Sequence, residues 1–282
     1  MIMSNKKKVI LATGGTGGHV FPAISLAENL KEKEIEPIFL IDKRVQNYES
    51  LKPYKTHIIS STSPNGNFIN KLKALFLILS GILKSLILIK KHKPIYVIGF
   101  GGYPSFPPMV AAILLRKNTM IHEQNAILGK VNRILAKFDN NIALSFPGTL
   151  ALNKKHNKKI IVTGNPVRKN ISDIANLTYP ETTEKINILI TGGSQGASIF
   201  SNIVPGAIAS LPGNIKQKIS LTQQCKKEEV RNLADKYRKM GVPANISYFF
   251  RDMEKKLQES HLLIGRAGAS TLSEIIAAKR PG

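Results

Sequence analysis

The sequence predicts an α/β protein of two similar domains, each built on a doubly wound parallel sheet. A short apolar run at residues 9–12 is bounded by glycines and followed by a helical pattern, which is typical of a buried parallel strand. The pattern Thr-Gly-Gly-(Thr/Ser)-x-Gly then occurs twice, at residues 13–18 and 191–196, each time after an apolar strand. We therefore expect two domains that face one another, at residues 1–163 and 164–282.

The first glycine-rich turn predicts a site for phosphate. Glycines let bare backbone N–H groups approach an anion at a helix N-terminus. A Walker loop that begins at Gly14 needs its second glycine where His19 stands, and the dinucleotide fingerprint needs a glycine where Val20 stands. The turn is therefore a different kind of phosphate loop or, as the alternative, a plain tight turn. Pro22 is expected in the first turn of the following helix, at residues 22–31.

Composition limits the functional classes. The 282 residues carry a net charge of +23, which attracts nucleic acid or an anionic membrane face unless it reflects a lysine-rich composition without function. No zinc-ligand spacing or nucleic-acid recognition motif accompanies the charge, so we expect no nucleic-acid partner. The single cysteine, Cys225, excludes an internal disulfide and fits a reducing compartment. The apolar run behind the basic N-terminus is too short for a signal peptide, so we expect a cytosolic protein.

A strand is expected at residues 37–41, followed by a polar stretch with turn signals over residues 43–67. Residues 74–90 are the most apolar run in the chain, and they predict a helix with Lys73, Ser80, Lys84 and Lys91 on one strip. The run is shorter than the about 20 residues that span a bilayer. It predicts either a core helix or a helix that lies in a membrane interface.

The next strand is expected at residues 95–98, before a second glycine turn at residues 99–105. A strand at residues 119–121 leads into four polar side chains, which the carboxyl end of the strand would place where open α/β sheets bind ligands: His122, Glu123, Gln124 and Asn125. Asn125 alone could instead cap the following helix. Short strands at residues 142–144 and 160–162 precede a rigid turn at residues 164–168, which is expected to be the domain hinge.

The second half begins its sheet at Ile186, and later strands are expected at residues 219–221, 246–249 and 262–264. The last strand feeds a glycine turn and a helix that reaches about Lys279. Only about four strands are expected in this domain, fewer than a doubly wound unit usually has.

Six motifs, in this order, resemble the MurG family, the UDP-N-acetylglucosamine:undecaprenyl-pyrophosphoryl-N-acetylmuramoyl-pentapeptide transferases of peptidoglycan synthesis. They cover essentially the whole chain and are GGTGGHVFPA at 14–23, GGY at 101–103, HEQN at 122–125, GNPVR at 164–168, GGSQGA at 192–197 and GASTLSE at 268–274. The resemblance implies the glycosyltransferase-B architecture, with two Rossmann-like domains and the active site in the cleft between them.

The resemblance also implies a donor site for UDP-N-acetylglucosamine. Ser194 would contact the diphosphate, Glu274 the ribose hydroxyls, and the backbone of Phe250 the uracil. The further donor-site positions implied by the resemblance are Thr16, Gly17, Gly18, Asn125, Arg168, Ala269, Ser270, Thr271, Leu272 and Ser273.

The acceptor, undecaprenyl-pyrophosphoryl-muramoyl-pentapeptide, would place its diphosphate on the glycine loops of the first domain, at Gly14, Gly15, Gly101, Gly102 and Tyr103. The family's reaction inverts the anomeric carbon and needs a general base for the attacking 4-hydroxyl. His19 is the first candidate for that base, against a role in helix capping or phosphate donation; His122 and Glu123 are the reserves. The sequence contains no Asp-x-Asp motif, so neither a metal nor another cofactor is expected, and helix N-termini with Ser194 would stabilise the leaving UDP.

The family docks on the cytoplasmic face of the inner membrane, which favours the interfacial alternative for the basic and apolar residues 71–93. In the family the chain also continues past the position of Gly282, with a glutamine that contacts the donor sugar and a helix that returns to the first domain. We therefore expect residues 1–282 to turn over poorly or not at all.

Two other classes remain open from the sequence. A nucleotide-dependent oxidoreductase would use the same folds but needs Gly-x-Gly-x-x-Gly, which occurs in neither half. A non-catalytic remnant that still binds membrane or nucleotide is the other alternative.

Overall fold

A computed structural model describes residues 6–64, 66–138, 141–153, 159–181, 185–193 and 197–282. The chain divides into two compact units, Met1–Pro166 and Val167–Gly282. Each unit has its own parallel sheet.

The first unit holds a seven-stranded sheet. Its strands are β1 (Lys8–Ala12), β2 (Glu36–Ile41), β3 (Lys55–Ile58), β4 (Tyr96–Gly99), β5 (Thr119–Glu123), β6 (Asn141–Leu144) and β7 (Ile160–Val162). Its helices are α1 (Gly17–Glu32), α2 (Phe68–His92), α3 (Gly102–Leu114) and α4 (Lys130–Leu135). The strands pair in parallel in the order β3-β2-β1-β4-β5-β6-β7, so the order reverses between β1 and β4. Ligands of open α/β sheets bind outside the carboxyl ends of the strands at such a reversal.

Both faces of this sheet are apolar, which is why the unit is doubly wound. Along β1, Ile10 packs into one core cluster, while Val9 and Leu11 pack into the cluster on the opposite face. Along β2, Leu40 and Phe39 divide between the two clusters in the same way. The alternation follows from the two-residue period of a strand and confirms the doubly wound prediction.

The sequence analysis describes residues 43–67 only as a polar stretch with turn signals, but they also contain β3. This strand pairs with β2 from Ile38↔Lys55 to Ile41↔Ile58. Most of its side chains are exposed, since it is the edge strand, and two of its four residues are Lys55 and Thr56. An edge strand with a polar surface has no apolar signal in the sequence.

The start predicted for α1 is also wrong. The helix begins at Gly17 rather than Pro22, so the proline lies at the sixth helical position. Pro22 has no N–H, so it cannot donate the usual intrahelical hydrogen bond to the fourth residue before it. Pro22 is buried there, and Val20 and Ala23, close to it in the sequence, belong to the core cluster that also contains Val9 and Leu11.

Helix α2 has 25 residues and is longer than the predicted run. Asn67 caps its start by accepting a hydrogen bond from the backbone N of Asn70 at 3.0 Å, and Lys93 ends it with φ of 48°. By length and composition alone, α2 is the one helix of the described residues long and apolar enough to cross a membrane.

Small residues let α2 lie against the first unit. A Cβ on Gly81 would stand 2.2 Å from the carbonyl O of Ser60, so the backbone of the helix approaches closely there. Ser85, Leu88 and Ile89 are buried on the same side. The predicted strip of Lys73, Ser80, Lys84 and Lys91 is exposed, but so are large apolar side chains along the helix: Phe68, Ile69, Leu72, Leu75, Phe76, Leu77, Leu79, Leu83 and Ile87. One side of α2 is therefore a core contact, and the rest is an apolar surface.

The second unit holds a four-stranded sheet in the described residues. Its strands are β8 (Ile186–Thr191), β9 (Ile219–Gln224), β10 (Ala244–Ser247) and β11 (Leu262–Gly265), in the parallel order β10-β9-β8-β11. Its helices are α5 (Lys169–Ser172), α6 (Ser198–Ala209), α7 (Gly213–Lys216), α8 (Val230–Lys239), α9 (Met253–Glu259) and α10 (Ala269–Ala278). Strand order reverses between β8 and β11. The prediction for β10 was displaced by two residues, because Tyr248 and Phe249 lie exposed beyond its end.

Candidate active site

The turn between β1 and α1 requires its first glycine. A Cβ on Gly14 would stand 2.7 Å from Oδ1 of Asp42 and 2.9 Å from Cβ of Pro104, and the φ of Gly14 is 152°. Contacts this short leave no space for a side chain. The turn is thus held tightly between Asp42, which follows β2, and the first turn of α3.

One backbone amide of this turn is already hydrogen-bonded to a carboxylate of the protein. The backbone N of Gly15 donates to Oδ1 of Asp42 at 3.1 Å. Asp42 is buried and forms an ion pair with Arg44, whose guanidinium lies over Gly15. The sequence analysis missed both residues, although an acidic residue directly after a buried strand was a usable signal.

The start of α1 holds the first candidate base. Thr16 is the N-cap residue, and its carbonyl accepts from the backbone N of His19 at 3.1 Å. The hydroxyl of Thr13 donates to the carbonyl of His19 at 2.8 Å. Gly17 and Gly18 form the first helical turn, the end of a helix that favours a negative group.

The second glycine turn lies against the ring of His19. Cβ atoms on Gly101 and Gly102 would each stand 3.4 Å from ring carbons of His19, and both glycines have positive φ. This places the His19 ring on the two predicted acceptor loops, at the strand reversal. Tyr103 is half-buried and packs against the first core cluster.

Glu123 holds the loop that follows β5. Its Oε1 accepts from the backbone N and the side-chain Nδ2 of Asn125 at 3.1 and 3.0 Å, and its Oε2 accepts from Gly129 N and Asn132 Nδ2 at 2.8 and 2.9 Å. The residue is 1% exposed. Both oxygens are thus engaged, which favours a role in shaping the loop over proton transfer. Asn132 has no counterpart in the sequence analysis.

His122 and Gln124 are buried next to His19. Nδ1 of His19 lies 3.1 Å from Oε1 of Gln124, and Nε2 of Gln124 lies 3.0 Å from Nδ1 of His122. Nε2 of His122 faces the carbonyl O of Gly164 at 3.2 Å. Burial lowers the pKa of His122, against the hydrogen bond to Gly164 and the charge of Glu123, which raise it. His122 is therefore inside the network rather than at its open end.

In the second unit, a glycine turn follows β8 at the strand reversal. Gly193 has φ of 79° and donates its N–H to the hydroxyl of Thr191 at 3.3 Å. Ser194, the predicted diphosphate ligand, lies outside the described residues, and α6 begins just beyond at Ser198. Arg266, which follows β11, donates through Nε to the carbonyl O of Gly192 at 3.0 Å and also through Nη2. The Arg266 guanidinium thus stabilises the turn at Gly192 and Gly193.

The carboxyl edge of the second sheet is tied together by side chains. The Thr191 hydroxyl donates to Oε1 of Gln224 at 2.9 Å, and Nε2 of Gln224 donates to the carbonyl O of Tyr248 at 3.2 Å. The nearby Cys225 is no nucleophile, because burial raises the pKa of its thiol to about 11.

Arg168 and Glu274, both predicted donor-site residues, are brought together. Nη2 of Arg168 donates to Oε1 of Glu274 at 2.9 Å, and each side chain is 18% exposed. Glu274 lies in α10, whose N-cap is Gly268, and the hydroxyl of Ser273 donates to the carbonyl of Ala269 at 2.8 Å. The other predicted positions of this segment, Ser270, Thr271 and Leu272, share the first turn of the helix, where Leu272 is exposed. Phe250 is 8% exposed, just beyond β10.

The predicted donor-site residues divide between the units. Thr16, Gly17, Gly18 and Asn125 belong to the first, and the segment 269–274 with Arg168 and Phe250 belongs to the second. Among the described residues there is no group of three or more His, Cys, Asp or Glu side chains that could hold a metal ion.

Comparisons with known proteins decide the family. Residues 9–144 match the glycosyltransferase family 28 N-terminal domain, and residues 187–282 match the glycosyltransferase family 28 C-terminal domain. The chain belongs to glycosyltransferase family 28. The resemblance inferred from the six motifs is confirmed, and an oxidoreductase is excluded.

Relatives within family 28 match along nearly the whole chain. The "UDP-N-acetylglucosamine--N-acetylmuramyl-(pentapeptide) pyrophosphoryl-undecaprenol N-acetylglucosamine transferase" of Bartonella henselae is 42% identical over 99% of this chain and 74% of its own. The transferase of the same name from Wolbachia pipientis is 42% identical over 97% of this chain and 75% of its own. The chain spans about three quarters of the length of these relatives.

A solved family member has the same fold. The crystal structure of MurG from Acinetobacter baumannii is 30% identical, has a TM-score of 0.69, and is matched over 95% of this chain and 74% of its own. The glycosyltransferase of kitacinnamycin, at 12% identity and a TM-score of 0.65, shares the fold alone. The family 28 chain is therefore a glycosyltransferase with two Rossmann-like domains, as predicted.

Proposed function

We propose that this glycosyltransferase moves N-acetylglucosamine from UDP-N-acetylglucosamine to the 4-hydroxyl of N-acetylmuramyl-pentapeptide-pyrophosphoryl-undecaprenol, with inversion at the anomeric carbon. The observation that carries the proposal is the 42% identity, over 99% of the chain, to a transferase named for this donor and acceptor. In the cell, this reaction completes the lipid-linked precursor of peptidoglycan.

The second unit supplies groups suited to the donor nucleotide. Oε1 of Glu274 is held by Arg168, so the second carboxylate oxygen can accept hydrogen bonds from the ribose hydroxyls. The turn at Gly192 and Gly193 lies directly before α6, whose N-terminus favours the diphosphate. Because the leaving UDP gains charge at this end, the same groups stabilise it during transfer without a metal. Ser194 is proposed as a further diphosphate contact.

The first unit supplies groups suited to the acceptor and to proton transfer. His19 is proposed as the general base, because its ring lies on the glycine turns proposed for the acceptor diphosphate. In this scheme Arg44 adds a cation beside Gly15, while the amide of Gly15 itself remains bonded to Asp42. Glu123 orients the loop of Asn125, and His122 stays neutral within the network.

Helix α2 is proposed to hold the protein on the cytoplasmic face of the inner membrane as a peripheral protein. Leu75, Phe76, Leu79 and Leu83 are exposed on one helix, where water contact is unfavourable. Exposed lysines occur along and beyond the helix, at positions 71, 73, 84, 90, 91 and 93. An apolar strip with basic residues fits an interface that contains anionic lipid.

The test is transfer of labelled N-acetylglucosamine from UDP-N-acetylglucosamine to the lipid-linked muramoyl acceptor, with excess enzyme so that slow turnover is seen. The Bartonella henselae transferase is the positive control, and His19→Ala is the matched negative control. We expect labelled lipid above the His19→Ala level, and a β-linked product from the α-linked donor. Release of free sugar without labelled lipid, or transfer to a non-lipid acceptor alone, would contradict the proposal.

A further inference from the structure

Three buried or half-buried side chains form a line from the start of α1 to the carbonyl of Gly164. His19 contacts Gln124, Gln124 contacts His122, and His122 contacts Gly164, at 3.1, 3.0 and 3.2 Å. All four residues belong to the first unit. Their donors and acceptors can be assigned from the inner end outward, because a carbonyl oxygen can only accept.

The inner end fixes the tautomer of His122. The Gly164 oxygen accepts, so Nε2 of His122 must carry the proton that it donates. Because burial lowers the pKa of His122, the ring is neutral at pH 7 and carries one proton only. Its Nδ1 is therefore a lone pair that needs a donor.

The orientation of the Gln124 amide follows. Its Nε2 lies 3.0 Å from that lone pair and 3.4 Å from the carbonyl O of His122, two acceptors on the same side. A reversed amide would point its oxygen at both. The amide must therefore present NH₂ to His122 and its oxygen to His19.

The amide oxygen in turn selects the tautomer of His19. Oε1 of Gln124 accepts, so Nδ1 of His19 carries the proton of the neutral ring, and Nε2 carries the lone pair. Nε2 of His19 has no hydrogen-bond partner within the described part of the chain, and it lies next to Gly102. It is thus the nitrogen that is open toward the glycine turns.

We propose that Gln124 is a positioning residue, which takes its orientation from His122 and holds His19 as the Nδ1–H tautomer with a basic Nε2. The proposal rests on the proposed function, in which Nε2 takes the proton of the acceptor 4-hydroxyl. As the bond from that oxygen to the anomeric carbon forms, the bond from the anomeric carbon to UDP breaks, and UDP leaves with the electron pair. The imidazolium keeps its Nδ1–H bond to Gln124 throughout.

A neutral amide in this place differs from a carboxylate. A carboxylate would also accept from Nδ1–H, but its negative charge would stabilise the imidazolium relative to the neutral ring. Glu123, whose charge acts on His122, accepts hydrogen bonds from Asn125, and Asp42 at the first glycine turn is paired with Arg44. The orientation of His19 thus comes without a charge.

The first test is a ¹⁵N NMR measurement of the His19 tautomer in the wild-type protein, assigned with His19→Ala. We expect Nδ1 protonated and Nε2 unprotonated at pH 8, and a mixed population in Gln124→Leu. A wild-type His19 protonated at Nε2 would overturn the proposal. This readout requires no catalysis, so it stands even if the proposed transfer reaction fails.

The second test is kinetic. Gln124→Leu should lower kcat by roughly 10- to 100-fold, less than the roughly 10²–10⁴-fold that a positioned base contributes in full, while KM for UDP-N-acetylglucosamine changes less than about twofold. Gln124→Glu should retain most of kcat but shift the acid limb of the pH profile to higher pH. Gln46→Leu, the same exchange at an exposed position of the first unit, is the matched control.

The double variant His19→Ala/Gln124→Leu separates positioning from a structural effect. If Gln124 acts through His19, the double variant should be no slower than His19→Ala alone. A further loss in that background, or an unshifted pH profile in Gln124→Glu, would contradict the proposal. Full transfer activity in His19→Ala would instead show that His19 is not the general base of the proposed function. The NMR measurement would then still test the tautomer of His19 independently.

Discussion

The two glycine turns have the same sequence pattern and the same place in their sheets, but the chain treats them differently. Each follows the strand at which the sheet order reverses, β1 in one unit and β8 in the other. In the first turn the amide of Gly15 bonds to a carboxylate, Asp42, while in the second the carbonyl of Gly192 bonds to a cation, Arg266.

We propose that this difference in contacts accompanies a difference in task. The first turn supports the His19 ring between two glycine loops, as a site for proton transfer needs. The second turn is braced from its carbonyl side next to the start of α6, as a site for a nucleoside diphosphate needs. In this proposal the first turn carries the base and the second turn binds the donor.

The largest expected difference is in stability. Gly14→Ala places a Cβ 2.7 Å from Asp42 and should lower the free energy of unfolding by about 3 kcal/mol, in the range for overpacked or strained positions. In Gly193→Ala the added Cβ would lie 3.9 Å from Nη2 of Arg266, its one near neighbour among the described residues, and the positive φ should cost about 1 kcal/mol. Urea unfolding followed by circular dichroism measures both. Equal losses would show that the turns are built alike.

A smaller effect is expected for the carboxylate of the first turn. Asp42→Asn keeps the shape but removes the charge that pairs with Arg44 and accepts from Gly15, a loss of about 1.5 kcal/mol for a charge-assisted bond. The acceptor KM should change while the affinity for UDP stays constant. Asp235→Asn, an exposed acid on α8, is the control. A change in UDP affinity would break the comparison.

Variants in the two units should also differ in their effect on membrane binding. Leu79→Glu on α2 should weaken binding to anionic vesicles about tenfold, since it replaces an apolar contact by a charge. Ile276→Glu on α10, also an exposed apolar position, should leave vesicle binding unchanged. High salt should weaken wild-type binding, because each lysine near the surface contributes about 1 kcal/mol. Equal binding to neutral vesicles would remove the electrostatic part, and unfolding of Leu79→Glu would show a core helix.

The smallest expected effect is a loss of stability at acidic pH that depends on His122, in the hydrogen-bond network next to the first glycine turn. Burial lowers the pKa of His122 in the folded protein, so its contribution to stability is complete above the unfolded-state pKa near 6.5 and is lost as the pH falls toward the lower folded-state value. The difference in the urea midpoint between pH 7.5 and pH 5.5 should therefore shrink in His122→Asn. An unchanged difference would mean that His122 is not neutral in the fold.

The sequence was sufficient where the signal is local. Apolar runs beside glycines identified β1, β4 and β8, because a buried parallel strand must be apolar on both faces. Strand β3 was missed, since an exposed edge strand with Lys55 and Thr56 has no such pattern. The start of α1 was predicted too late, because Pro22 was assigned to the first helical turn, whereas the helix accommodates it at the sixth position.

The network around the base could not be predicted from local pattern. Gln124 lies two positions after His122 in the sequence, but its contact with His19 spans 105 positions and exists only once β1 and β5 share a sheet. Asp42 meets Gly15 for the same reason. The motifs therefore predicted which residues lie near the turn. They did not predict which atoms form hydrogen bonds there.

The division of work between the two glycine turns is tested most directly by calorimetric titration of UDP. The titration uses the wild-type protein, His19→Ala and Glu274→Ala, with Glu259→Ala on α9 as the control. We expect His19→Ala and the control to bind UDP like the wild type. Glu274→Ala should lose about 1.5–3 kcal/mol, the range for hydrogen bonds to a charged group. Loss of UDP affinity in His19→Ala, or unchanged affinity in Glu274→Ala, would contradict the division of work between the two turns.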